Sequence, residues 1–463
     1  MTALTLDSPA PSLAGATPSL AAKGRRRARD PLYGLSAAVF EMPILSGRTL
    51  FGRYVIVSDP VGVRQVLVEN AANYPKTAFG LRFFAALFGG GLLGIGGETW
   101  RRHRRVMAPA FDPRSVAAYG PAITATAEAF LERWAALPDG APIDMAKEME
   151  VLTLRVISRT VFSTDGDEII DLISGALRRG LEAAARANIL DILPVIGDVR
   201  MRSRERRLAV ASGPLDAAVA RLVSEREANL ATAPADLLTR LAAAKDNEGG
   251  GGLTAKEIRD EIITIFMAGH ETTANTLSWI WYLLAQHPAE AARLHVELDA
   301  VLAGRTPVQD DLPRLAQTRR VVEESMRLYP AAPGLSSRQA LADDEVCGHK
   351  IQKGVSVSVL PWVLHRHRRL WDAPERFDPD RFSPERSAGR PRFAYLPFGA
   401  GPRVCIGQIL AMNETILLLA ALAQAYAPRL APDARVVPKA NVTLQMRHGL
   451  KMILERRIHS TAS

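Results

Sequence analysis

The stretch LTAKEIRDEIITIFMAGHETTANTLSWIWYLLAQHP, residues 253–288, constrains this chain more than any other part of it. No proline interrupts it until Pro288, and Thr254 with Glu257 has the spacing of a capping box at its start. The pattern predicts a helix of about thirty residues, roughly 45 Å long at the α-helical rise. Apolar residues fall on several of its sides, so it must run through the centre of a protein rather than along its surface. A chain of 463 residues is long enough to surround it.

The rest of the sequence is arranged to suit. Helical patterns dominate from about 98 to 245, at about 289–302 and 314–329, and from about 406 to 426. TLFGRYVIVSDP (49–60) and IQKGVSVSVL (351–360) have strand character. Residues 361–404 read as a long coil rich in Pro and Arg, which in a compact protein marks a functional loop. The expected fold class is mainly α with a small β region: a disordered basic tail over 1–30, then one large domain over 31–463.

The tail runs from small residues into GRRRAR (24–29) without an apolar segment of useful length, so no signal peptide is expected. The longest apolar run, ILLLAALA (416–423), is far short of a membrane span. Two cysteines, Cys347 and Cys405, cannot form a disulfide framework and suit a reducing compartment. These features predict a cytoplasmic monomer with no membrane anchor. The net charge of +9 fits a solvated arginine-rich surface or a basic patch for an acidic protein, and no nucleic-acid recognition motif accompanies it.

Familiar motifs can be set aside first. GGGLLG (89–94) matches a dinucleotide loop by letter, but no strand precedes it. HETTA (270–274) begins like a zinc-protease helix and lacks the second histidine. Cys405 in FGAGPRVCIG is more informative. A lone cysteine is ordinarily a small buried hydrophobe, but here Gly399, Gly401 and Gly407 allow close backbone approach to something flat. Arg403 and the start of the following helix both favour a thiolate. A thiolate in a glycine turn suits an axial metal ligand, haem included.

Ala268, Gly269, Glu271, Thr272 and Thr273 form a second constellation, in the middle of the long helix. Alone they read as a kink satisfied by threonine hydroxyls. Beside a thiolate-bound haem, Ala268 and Gly269 leave room above the iron, and Glu271 with Thr272 forms an acid–alcohol pair able to relay protons. Glu324 and Arg327 lie i,i+3 on a helix face and can pair. Trp100 and Arg104 sit one turn apart in a basic helix that could clasp a carboxylate.

Together these residues resemble the cytochrome P-450 superfamily of haem-thiolate monooxygenases, in its soluble bacterial form, from about residue 45 to 455. The cysteine-loop pattern is met by Phe398, Gly401, Arg403, Cys405 and Gly407, and the oxygen-binding helix motif by Ala268, Gly269, Glu271, Thr272 and Thr273. The E-x-x-R pair is met by Glu324 and Arg327, the P-x-R-F element by Pro379, Arg381 and Phe382, and W-x-x-x-R by Trp100 and Arg104. The resemblance implies the P-450 fold, with the long central helix over a b-type haem and Cys405 as the metal ligand. It implies that Arg403, Trp100, Arg104, Arg338 and His365 meet the haem propionates. Arg381 would complete a Glu–Arg–Arg network, with Arg376 as the alternative.

It further implies hydroxylation of a lipophilic small molecule by O2, be it a fatty acid, a terpenoid or an aromatic compound. Phe79, Phe83, Phe84 and Phe88 would line the pocket, unless they are ordinary core. With no flavin in the chain, electrons would come from a ferredoxin or flavodoxin with its reductase, docked near Arg101, Arg102 and Arg105. The rival readings are a peroxide-dependent peroxygenase on the same fold and a non-catalytic haem carrier or sensor. The Glu271–Thr272 pair argues against both.

Overall fold

The computed structural model describes residues 35–49, 52–163, 216–234, 236–244 and 251–457, with isolated positions at 32, 175, 203 and 213. The tail expected over 1–30 lies outside the described residues. The helices that matter below are α1 (Ala78–Phe88), α2 (Gly97–Met107), α3 (Gly120–Ala135), α4 (Met145–Phe162), α5 (Ala255–Gln286), α6 (Pro288–Leu302), α7 (Ala316–Leu328) and α8 (Gln408–Ala425). The strands are β1 (Ile44–Thr49), β2 (Gly52–Val57), β3 (Ala141–Asp144), β4 (Arg338–Gln339), β5 (Asp344–Val346), β6 (His349–Ile351), β7 (Ser356–Ser358), β8 (Arg429–Leu430), β9 (Pro438–Ala440), β10 (Leu444–Met446) and β11 (Lys451–Leu454).

Helix α5 is the expected long helix, 32 residues without a break. Its capping box forms: the Glu257 N–H donates to Thr254 Oγ1 at 3.2 Å, and the Thr254 N–H to Glu257 Oε2 at 2.8 Å. Pro288 ends the run and opens α6 instead. Helix α8 is apolar and long enough to cross a membrane by length and composition, but thirteen of its eighteen residues are buried within the protein, as in a core helix.

The chain packs into two compact units. The first draws on the described residues within 1–75, 127–152 and 272–463, and the second on those within 76–126 and 153–271. Four strands of the first unit form a sheet in the order β1-β2-β7-β4. Ile44 faces Val57 in the antiparallel hairpin, Tyr54 aligns with Ser356 in the parallel step, and Arg338 faces Val357 at the edge. The β1 strand has no strong alternation, which is why the sequence suggested only its partner. The strand expected over 351–360 is broken by the turn at Gly354, whose φ of +84° only glycine adopts readily. Under the sheet, Ile44, Val55, Val57, Val357, Val359 and Leu396 share one apolar cluster. That cluster ties the sheet to the chain just ahead of the cysteine loop.

Candidate active site

The cysteine loop belongs to the first unit. Cys405 is exposed and forms no disulfide, and its N–H donates to the Phe398 carbonyl at 2.9 Å, closing the turn. Gly399 and Gly401 have φ of +72° and +71°. At Gly401 a Cβ would stand 1.8 Å from the Leu67 carbonyl oxygen, so no other residue fits there. Gly407 is the N-cap of α8, which sets the positive end of that helix close after Cys405. Phe398 and Arg403 are half-buried on either side of the turn.

A buried ion network holds the segment leading into this loop. Glu324 and Arg327 are both fully buried on α7 and pair through two bonds, Nε to Oε2 at 2.6 Å and Nη2 to Oε1 at 2.7 Å. The remaining Arg327 donors reach the carbonyls of His365 (2.9 Å), Pro374 (2.6 Å) and Arg376 (3.0 Å). Glu324 Oε1 accepts the Asp378 N–H at 2.9 Å. Arg381 lies with its Nε 3.4 Å from the same oxygen, without hydrogen-bond alignment, and its Nη2 donates to the Ala373 carbonyl. Arg376 offers the network only its carbonyl, its side chain being exposed.

His365 departs from what the resemblance implied. It is fully buried, and burial first, then the charges of Arg327 and Arg366, push it down to about 3, so the ring is neutral. Its Nε2 accepts the Leu396 N–H at 2.8 Å. A neutral ring spent on a backbone amide cannot neutralise a propionate; it links the ion network to the cysteine loop. Tyr395 adds a second link, its hydroxyl donating to the Glu323 carbonyl at 2.9 Å.

Arg338, at the sheet edge on β4, has a buried Nε with no hydrogen-bond partner. Burial lowers its pKa, and among the described residues no carboxylate pairs with it. A buried guanidinium requires an anion. An accessible thiol and a half-buried guanidinium whose Nε lacks a partner, both in one unit, form the donor set that a haem, with its iron and two carboxylates, would meet.

In the second unit, Trp100 and Arg104 lie half-buried on α2. Between them is a residue the sequence reading missed. His103 is 1% exposed, with Nδ1 2.7 Å from Glu261 Oε1 and Nε2 3.2 Å from Glu257 Oε1. Burial opposes charge on this ring, but the two glutamates outweigh it and raise its pKa. Burial also raises the Glu261 carboxyl, against hydrogen bonds from His103 and the Leu92 N–H. The signal in the sequence was a histidine inside an arginine run. Its partners, more than 150 residues away, carried none.

The glycines at 89–91 also find their reason here. The Gly90 N–H donates to Asp260 Oδ2 at 2.9 Å, and a Cβ on Gly91 would stand 2.0 Å from Thr264 Oγ1. They permit close packing on α5. The arginines expected to form a basic face are engaged: Arg101 and Arg105 with Glu98, and Arg102 with Glu257.

Phe79 is 48% exposed, and its ring lies 6.5 Å from that of Phe83, which meets Phe84 edge-on at 5.4 Å. This aromatic row on α1 is therefore not closed core. The Phe88 side chain lies outside the described residues. At the middle of α5, Ala268 is exposed and Gly269, Glu271 and Thr272 are half-buried, whereas Met267, His270 and Thr273 are buried. Positions 268, 271 and 272 share one helical face, so that face alone is accessible. Behind it, Gly269 packs on Ile157, and Thr153 Oγ1 donates to the His270 carbonyl at 3.1 Å.

The family model described as Cytochrome P450 matches residues 41–453. The chain is 36% identical to cyclooctatin synthase of Streptomyces melanosporofaciens, over 93% of this chain and 92% of that protein. It is 35% identical to pentalenene oxygenase of Streptomyces avermitilis, over 93% and 94%. Among solved structures, a cytochrome P450DA heme domain superposes with a TM-score of 0.79 at 26% identity, over 90% of each chain.

Proposed function

Since the chain belongs to the cytochrome P450 family, we propose that it hydroxylates a cyclic, hydrocarbon-rich lipophile with electrons from separate redox proteins. It is a haem-dependent monooxygenase that uses O2. Of the substrate classes considered, a cyclic terpenoid best suits a relative named for oxygenating pentalenene. Exposed Phe79, beside half-buried Phe83 and Phe84 on α1, supports an apolar substrate, since such rings gain by being covered by one.

Cys405, as thiolate, would hold the iron of a b-type haem, with Phe398 and Gly407 shaping the turn around it. Arg403, Arg338, Trp100 and Arg104 would take the propionates, as buried carboxylates require cationic or hydrogen-bonding partners. Bound haem supplies O2 activation and oxygen transfer, and a thiolate ligand favours O–O cleavage. Ala268 keeps its part of the α5 face low, so that small molecules reach it, and Gly269 lets the helix pack closely on Ile157 behind that face. Glu271 and Thr272 hold water there and pass protons inward, the other oxygen atom leaving as water. Glu324, Arg327 and Arg381 act at a distance, by holding His365 and thereby the entry to the cysteine loop. A ferredoxin or flavodoxin with its reductase would deliver the electrons; exposed Arg101 offers part of its docking charge.

The observation that carries this reading is Cys405, exposed at the head of α8 in a turn that admits only glycine at 401. The reduced, carbon monoxide-bound spectrum of the purified protein tests it. The expected result is the red-shifted Soret band of thiolate ligation, lost in Cys405→Ser. A histidine-type band in the wild-type protein would overturn the ligand assignment.

A further inference from the structure

The loop between residues 369 and 391 surrounds a cavity of about 380 Å³ in the first unit, lined among others by Arg369, Trp371, Asp372, Arg381, Arg386 and Arg390. Four guanidiniums thus meet one carboxylate. Arg381 is only 5% exposed, and its Nε has no hydrogen-bond partner. Arg390 lies 4.5 Å above the Trp371 ring and 4.6 Å above that of Phe382, and donates to the Arg381 carbonyl. The two rings and that bond fix the plane of its guanidinium. Among the described residues no carboxylate stands within ion-pair distance of Arg369 or Arg390, whereas Arg386 pairs with Asp378 at 2.9 Å. Burial holds Arg381 and Arg390 below the ordinary guanidinium value; Glu324 opposes this for both, and the charge of Arg327 adds to it. Such a cluster is costly unless an anion joins it.

We propose that this cavity binds a phosphate-type oxyanion, a phosphate or diphosphate group, between Arg369, Arg386 and Arg390, with Arg381 behind them. A single carboxylate is satisfied by one planar fork, but several forks converging from separate turns suit the many oxygens of a phosphoryl group. The stacked Arg390 is already set in place, so little side-chain entropy is lost on binding. Because Arg381 also faces Glu324, the anion would reinforce the network that holds the cysteine loop. None of these four arginines is assigned to haem, substrate or proton transfer.

Calorimetric titration of the full-length, haem-loaded protein with inorganic phosphate and with diphosphate tests this, at constant ionic strength set with chloride. Both should bind saturably with one site, diphosphate more tightly. Arg390→Gln and Arg369→Gln should each weaken binding about tenfold, the value of a charged hydrogen bond. Arg369 is exposed, so its variant remains informative if Arg390→Gln folds poorly. Arg429→Gln, on a surface pair with Glu455, should leave binding unchanged. Glucose 6-phosphate binding as well as inorganic phosphate would identify a phosphoester as an acceptable source; its failure would restrict the site to free phosphate or diphosphate. Non-saturable heats, wild-type affinity in both arginine variants, or tighter binding of polyglutamate than of diphosphate would overturn the proposal.

Discussion

Two buried charge clusters, one in each unit, do the same mechanical work by different chemistry. In the first unit, Glu324 and Arg327 are three residues apart on α7, and the donors they leave over are taken by backbone groups between His365 and Asp378. In the second, His103 on α2 meets Glu257 and Glu261 on α5, and Glu261 also accepts the Leu92 N–H from the glycine run. Each fastens a loop to a helix. The first uses an arginine, which keeps its charge at any physiological pH, while the second uses a histidine, which does not. A brace for the cysteine loop, which we propose holds the haem iron, must not come loose with pH. A brace for the glycine run at 89–91 has no such requirement.

The difference should appear first as a difference in cost. Glu324→Ala leaves Arg327 charged, fully buried and without its carboxylate, a loss of about 3–5 kcal/mol. The expected outcome is failure to accumulate haem-loaded protein, read from the haem-to-protein absorbance ratio of the purified variant. Glu261→Gln is milder, because His103 keeps Glu257 and can go neutral, and the amide can still accept the Leu92 N–H. A loss of about 1–3 kcal/mol follows, seen as a lower midpoint of thermal unfolding with haem retained. Equal losses in the two variants would erase the distinction between the clusters.

Legibility in the sequence divides along the same line. The α5 helix could be read because its capping box, Thr254 and Glu257, lies within one turn and its stop is a proline. Glu324 and Arg327 could be paired because helical spacing alone puts them on one face. The cysteine turn was readable because glycine at 399 and 401 has few other uses. Nothing local joins His103 to Glu261, since such contacts come from the packing of α2 on α5. His365 misled because a histidine looks like a possible cation, and only full burial beside two arginines makes it neutral. The glycines at 89–91 matched a dinucleotide loop by letter only, and their packing role was hidden because the helix they pack against is far away in sequence.

The finest contrast is in pH dependence. The His103 pKa is raised above its ordinary 6.5, so its charged form is favoured in the folded protein. The stability it contributes is therefore fully present below about 6.5 and is lost as pH rises through the raised folded value. Glu261, whose folded carboxyl is also raised, acts in the same direction, and Glu257 stays ionised, its carboxyl held at about 2, where burial is outweighed by its Thr254 and His103 hydrogen bonds. Arg102, 3.2 Å from His103 Nε2, and Arg259 paired with Asp260 on α5 are the other charged groups beside this cluster. Amide exchange over residues 89–94, corrected for intrinsic chemistry, should thus quicken several-fold between pH 6 and 8.5, about 1 kcal/mol of opening energy. In His103→Gln that slope should shrink to the part Glu261 supplies, while amides over residues 396–399, held by the arginine brace, should show no such slope in either protein. A pH slope at 89–94 of undiminished size in His103→Gln would assign the sensitivity to some other group and remove the histidine from the contrast between the braces.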